Sequence, residues 1–178
     1  MAEREARESV LAADSLTVVL GLGSPIMGDD GLGLAALDHL RREWDFEPAV
    51  ELVDGGTWGM NVLPIIETAE RVLLLDAIRT GDRPGTTVVI ERWALPRYLG
   101  AKLSPHQVDL RDVLALAELR GTLPRDTVAI GLEPERVEME HGLSAPVRAG
   151  MTDLLDRVVE RLREWGHRPC PGEVTSDA

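Results

Sequence analysis

The chain carries a single cysteine, Cys170, in 178 residues. An internal disulfide is therefore impossible, and a thiolate metal cluster is excluded. Aromatic residues make up only 3% of the sequence, and Trp44, Trp58 and Trp93 fall at expected element ends or in loops. No apolar run approaches the length that spans a bilayer, and the opening AEREARE is charged, unlike a signal peptide. Bases are scarce: 19 Lys and Arg face 31 Asp and Glu, a formal charge of -12. That balance argues against nucleic acid and anionic membrane surfaces as partners. There is also no G-x-S-x-G elbow, no H-E-x-x-H helix and no Cys nucleophile with a fixed neighbour, which speaks against a serine or cysteine acyl-enzyme. These absences lead to the expectation of a soluble, cytoplasmic protein. The length suits one domain over residues 1–178, with a core at about 16–165 and flexible tails at 1–14 and 167–178.

What is present is concentrated first in Val18 to Gly33, VVLGLGSPIMGDDGLG. A short β-branched apolar run reads as a buried strand, and a Gly- and Pro-rich loop follows it. Then come Asp29 and Asp30, and Leu32, Leu34, Ala35, Leu37 and Leu40 recur at helical spacing. Either acid is a candidate cap for that helix. A strand, a loop and a helix open an α/β fold, and such folds bind ligands at this turn. Nucleotides are poor candidates: the third glycine of a dinucleotide fingerprint would fall at Ile26. Asp29 and Asp30 also stand where a phosphate loop has Lys and Ser/Thr. Paired acids suit a cation or a polar peptide.

Further along, the pattern predicts a first strand over about Leu16–Leu22, a helix over Gly31–Trp44 and a second strand over Ala49–Val53. A short helix within Asn61–Ala69 follows, with Pro64 in its first turn. The third strand, Arg71–Ala77, is the most apolar and is expected at the centre of the sheet. Only about ten residues separate it from the fourth, Val88–Arg92, too few for a parallel crossover. The fourth strand should therefore run antiparallel, and the sheet should be mixed. A helix over His106–Arg120, a fifth strand over Thr127–Leu132 and a last helix from near Ser144 complete the pattern. The acidic loop Glu133–Glu140 reads as solvated surface, with recognition of a basic peptide as the alternative.

Three acids fall at expected strand ends facing one crevice: Asp30, Asp54 and Asp76. Each could instead be a cap or turn residue, and for Asp54 the two readings weigh equally. Asp76 interrupts an apolar strand, where a carboxylate without a partner is costly. His106, in LSPHQ at a helix mouth, is its natural partner, although a lone histidine there is more often a surface or capping residue. Two carboxylates and an imidazole form an oxygen/nitrogen set suited to nickel, zinc or iron. His141 lies in the loop before the last helix and is a possible substrate contact. His39 reads as a surface residue of the first helix, and His167 as part of the tail.

Together these stretches resemble the [NiFe]-hydrogenase maturation endopeptidases. The resemblance rests on GLGSPIMGDDGLG at 21–33, DGGTWGM at 54–60, LLLDAI at 73–78, PGT at 84–86, SPHQ at 104–107 and the GLS before the last helix. It spans almost all of Leu16–Trp165. It implies a three-layer α/β/α sandwich of the phosphorylase/hydrolase-like kind, with a five-stranded, mostly parallel sheet whose fourth strand is antiparallel. It implies a nickel-dependent endopeptidase that removes the C-terminal extension of a hydrogenase large subunit after nickel insertion. Asp30, Asp76 and His106 would contact the metal, with nickel supplied by the substrate. Asp54, Gly55, Gly56 and Thr57 would help to recognise the precursor, and a monomer is expected. One departure is visible: Ser24 stands where the family usually has Asn. The rival classes are a nickel-recognising binding or chaperone module without turnover, and a small-molecule hydrolase on the same fold.

Overall fold

The computed structural model describes residues 16–56, 59–95 and 108–172. The expected N-terminal tail, Thr57, His106 and most of the loop before the second long helix lie outside them, as do residues 173–178.

The elements are β1 (Thr17–Leu22), α1 (Leu32–Glu43), β2 (Trp44–Glu47), β3 (Glu51–Gly56), α2 (Leu63–Thr68), β4 (Arg71–Ala77), β5 (Thr87–Glu91), α3 (Val108–Leu119), β6 (Asp126–Leu132), α4 (Ala145–Glu164) and β7 (Arg168–Pro171). Five strands form one sheet in the order β3-β1-β4-β6-β5. β1 pairs in parallel with β3 and β4, β4 in parallel with β6, and β5 antiparallel with β6. The expected mixed sheet is therefore present, and the short connection after β4 ends in its one antiparallel strand.

Period-two alternation divides the strand side chains between two cores. Val19, Leu73, Leu75, Val128 and Ile130 pack under α1 and α4. Val18, Leu20, Val72, Leu74 and Ala129 pack with Ile66 of α2 and Val113 and Leu114 of α3. Strands buried on both faces need continuous apolar sequence, which RVLLL supplies in β4. α4 lays the expected stripe of Val147, Met151, Leu154, Leu155, Val158, Val159 and Leu162 on its face.

The C-terminal segment departs from expectation. Arg168–Pro171 is a strand, not a flexible tail, and pairs antiparallel with Trp44–Glu47. Trp44 accordingly leaves α1 in extended conformation. His167 is buried there: Nδ1 lies 2.7 Å from the Pro48 carbonyl and Nε2 lies 2.9 Å from the Thr17 hydroxyl. Since a carbonyl can only accept, the Nδ1 proton donates to Pro48. That pair of bonds anchors the end of α4 to the start of β1.

α1 approaches the sheet closely at Gly33. A Cβ there would lie 2.2 Å from the Leu75 carbonyl oxygen and 2.4 Å from that of Leu22. This contact sets the helix start directly over the ends of β1 and β4.

Candidate active site

The carboxyl ends of β3, β1 and β4 lie side by side, and each presents part of the candidate site. Beyond β1, the chain turns through Ser24–Met27 and then a 3-10 turn, Gly28–Gly31, which packs against β4. Asp30 sits in that turn, half-buried, and its Oδ2 accepts the Ser24 N–H at 2.9 Å. The donor is main chain, so Ser in place of Asn at this position leaves the bond intact. Gly23 enables the fold-back: its φ is +104°, and a Cβ would fall 1.8 Å from the Asp30 carbonyl oxygen.

Asp76, 5% exposed, lies in β4 opposite Gly131 of β6. Alternation assigns it to the α2/α3 face, between Leu74 and Ile78 of that core. Asp54 is exposed near the end of β3, opposite Gly21. Gly55 is buried beside Leu20, and the Gly56 carbonyl accepts the Gly23 N–H at 3.0 Å. The DGG segment and the first motif thus share one rim. The structure brings Asp30, Asp54, Gly55, Gly56 and Asp76 to the same edge of the sheet. His106 and Thr57 lie outside the described residues, and among those described no three His, Cys, Asp or Glu side chains form a metal-sized group. Two acids, Asp30 in the turn after β1 and Asp76 near the end of β4, match the hard-donor part of the expected set.

Asp29 behaves differently from expectation. It does not cap α1, whose N-cap is Gly31 with no side-chain bond. It points inward, fully buried, and accepts the main-chain N–H groups of Ser144 at 2.6 Å, Glu135 at 2.9 Å and Arg136 at 3.0 Å. Its carboxylate ties the loop after β6, and the N-cap residue of α4, to the turn that carries Asp30. Burial pushes this carboxyl up, but the bonds from Ser144, Arg136 and Glu135 outweigh it and hold its pKa below the usual aspartate value. A depressed folded pKa means the ionised group stabilises the fold fully above about pH 5. That contribution drains away as pH falls below about 4. Asp29→Asn is expected to lose about 3 kcal/mol at neutral pH and to show a shallower loss on acidification, read by denaturant unfolding across pH.

Glu133, read as solvated, is 3% exposed. Its Oε2 accepts the Thr80 N–H at 2.6 Å, the Thr80 hydroxyl at 2.8 Å and the Gly81 N–H at 3.1 Å. Pattern reasoning could not find it, because its partners lie over fifty residues earlier in the chain. Elsewhere in that loop Pro134 is also buried, whereas Glu135, Val137, Glu138, Met139 and Glu140 are exposed, as is His141 just beyond it. His39 pairs with Glu43 at 2.9 Å on the surface of α1, and nothing draws it toward the crevice.

A mixed five-stranded sheet between helices, with acids gathered at its carboxyl edge, makes this a three-layer α/β protein with an acidic crevice. Residues 35–161 match the hydrogenase maturation protease family, HycI, and the chain belongs to that family. Hydrogenase expression/formation protein HoxM of Cupriavidus necator is 39% identical over 158 residues, 88% of this chain and 78% of that protein. Hydrogenase 2 maturation protease of Escherichia coli K12 is 32% identical over 161 residues, covering 90% of this chain and 98% of that one. The solved structure of the hydrogenase maturating endopeptidase HybD from E. coli superposes with a TM-score of 0.83 at 31% identity. It covers 92% of this chain and 99% of that chain. Of the classes that the sequence leaves open, family membership selects the peptidase. No described helix is long and apolar enough to cross a membrane.

Proposed function

We propose that this peptidase removes the C-terminal extension of a [NiFe]-hydrogenase large-subunit precursor once nickel has been inserted. In this reading Asp30, Asp76 and His106 complete the coordination of the nickel that the precursor carries, and the metal belongs to the substrate. The observation that carries it is the convergence of Asp30 and Asp76: the turn holding one packs on the strand holding the other. A second support comes from α3. It begins at Val108, two residues after His106 in sequence, and packs on the sheet face to which alternation assigns Asp76.

Bound nickel would supply a Lewis acid beside the scissile bond. The chain's own residues have the tasks of binding and orientation. Asp30 and Asp76 contribute carboxyl oxygens at fixed positions, held by the Ser24 N–H in one case and by the central strand in the other. Asp54, Gly55 and Gly56 lie at the rim against which the precursor backbone would lie, and Thr57, next in sequence, would extend that contact.

The test is a mass spectrum of the precursor, nickel-loaded or nickel-free, after incubation with the protein. Loss of a C-terminal fragment from the loaded sample alone is expected. Cleavage of both samples alike would remove the nickel checkpoint, and cleavage of neither would remove the proposed substrate. His106→Ala is expected to abolish processing with an unchanged circular dichroism spectrum; normal processing by that variant would sink its assignment as a ligand.

A further inference from the structure

The connection from β4 to β5 holds two basic residues, Arg79 and Arg83, in a chain dominated by acids. Most described arginines are engaged. Arg42 pairs with Asp38, Arg92 with Glu118, Arg120 with Glu67 and Arg161 with Glu91. Arg79 and Arg83 are exposed, and among the described residues neither guanidinium has a hydrogen-bond or ion-pair partner. Arg125 and Arg163 are likewise exposed without a partner among the described residues, but only Arg79 and Arg83 share one short loop.

Their loop is also unusually well fixed. The buried Glu133 carboxylate takes the Thr80 N–H, the Thr80 hydroxyl and the Gly81 N–H. The Glu133 main chain accepts from the Gly85 N–H at 2.8 Å and donates to the Thr86 carbonyl at 2.9 Å. Asp82, the one exposed acid between the two arginines, accepts a 2.9 Å bond from the Thr80 hydroxyl. Five bonds from one residue hold the loop in place before anything binds, which lowers the cost of ordering it on association.

Location completes the argument. β5 pairs antiparallel with β6, so the loop joining β4 to β5 lies at the carboxyl edge of the parallel strands. Arg79 follows Asp76 by three residues, so their Cα atoms lie within about 10 Å, and an arginine side chain can bridge that span. Guanidinium groups match carboxylates in shape and charge and bind them bidentately.

We propose that Arg79 and Arg83 form a carboxylate-reading subsite that grips the C-terminal extension of the substrate. This rests on the endopeptidase reading above and adds how the extension is chosen. The carboxylate is either the extension's own chain terminus or an acidic side chain within it. Glu133 acts as a positioning residue that presents the pair.

The probe is a short fluorescent peptide copied from the precursor's C-terminus, with fluorescence anisotropy reading its affinity for the full chain. Arg79→Gln with Arg83→Gln should weaken binding about tenfold. Added salt should shrink the difference, since the pair is exposed. Arg79→Lys with Arg83→Lys should recover part of the affinity. Amidating the peptide terminus separates one source from the other: a matching loss there identifies the terminal carboxylate. A matching loss on changing the peptide's Asp and Glu to Asn and Gln identifies a side chain. Equal affinity of wild type and the double Gln variant overturns the proposal, as does indifference of the wild type to both peptide changes. Cleavage run in parallel should show KM raised about tenfold with kcat held. Wild type that binds the peptide through the pair but leaves every loaded precursor intact would defeat the endopeptidase reading and keep the subsite. Wild type that cleaves, with a double variant of unchanged KM, would do the reverse.

Discussion

Asp76→Asn is expected to slow shortening of the nickel-loaded precursor by about 100-fold or more, since even the groups supporting a metal ligand are worth about 10–100-fold. The fold should survive. Asn matches Asp in shape, and β4 stays flanked by β1 and β6 in register. The residue is a polar side chain, 5% exposed, at the end of an apolar strand whose packing on both faces does not call for a carboxyl group. A carboxyl group at that place is accounted for if it is used on the substrate. A time course by mass spectrometry gives the rate, and a thermal scan gives the midpoint. Full-rate cleavage by the variant would restrict Asp76 to a structural role.

Gly33→Ala is expected to cause a large loss of stability. The added methyl would meet the Leu75 and Leu22 carbonyl oxygens and the Leu22 nitrogen at 2.2, 2.4 and 2.6 Å, all of them backbone. No rotamer change relieves a clash with main chain, so α1 must lift from the sheet. Overpacking of this kind costs about 3 kcal/mol, which in a chain of this size lowers the melting midpoint by roughly 6–12 °C. Lifting α1 also displaces the Gly28–Gly31 turn that leads into it. Processing should therefore fall further than stability alone explains when both are measured well below the midpoint. A variant that melts like the wild type would show that the helix start has room to move.

The topology was legible in the sequence wherever it depended on chain length and period. The brevity of Ile78–Thr87 forced an antiparallel strand, and β5 runs that way against β6. The apolar run in β4 put it at the centre, where it lies between β1 and β6. Asp30, Asp54 and Asp76 could be collected because strand ends in a parallel sheet share an edge. Asp29 could not be read correctly, because capping rules use local spacing and its true donors are 106, 107 and 115 residues away. Glu133 failed for the same reason. β7 was hidden by composition: RPCP has too little apolar character to signal a strand, and its pairing with β2 supplies what the local sequence lacks.

The small β2–β7 ribbon has a practical consequence. Thr17 opens β1 at the amino edge of the sheet, and His167 is bonded to it. Gly172, the last described residue, donates to the Glu43 carbonyl at the end of α1. The chain therefore enters and leaves its described fold on the side opposite the crevice. A tether joined at Leu16 or Gly172, the outermost described residues, should leave the carboxyl edge of the sheet facing away from the surface that holds it.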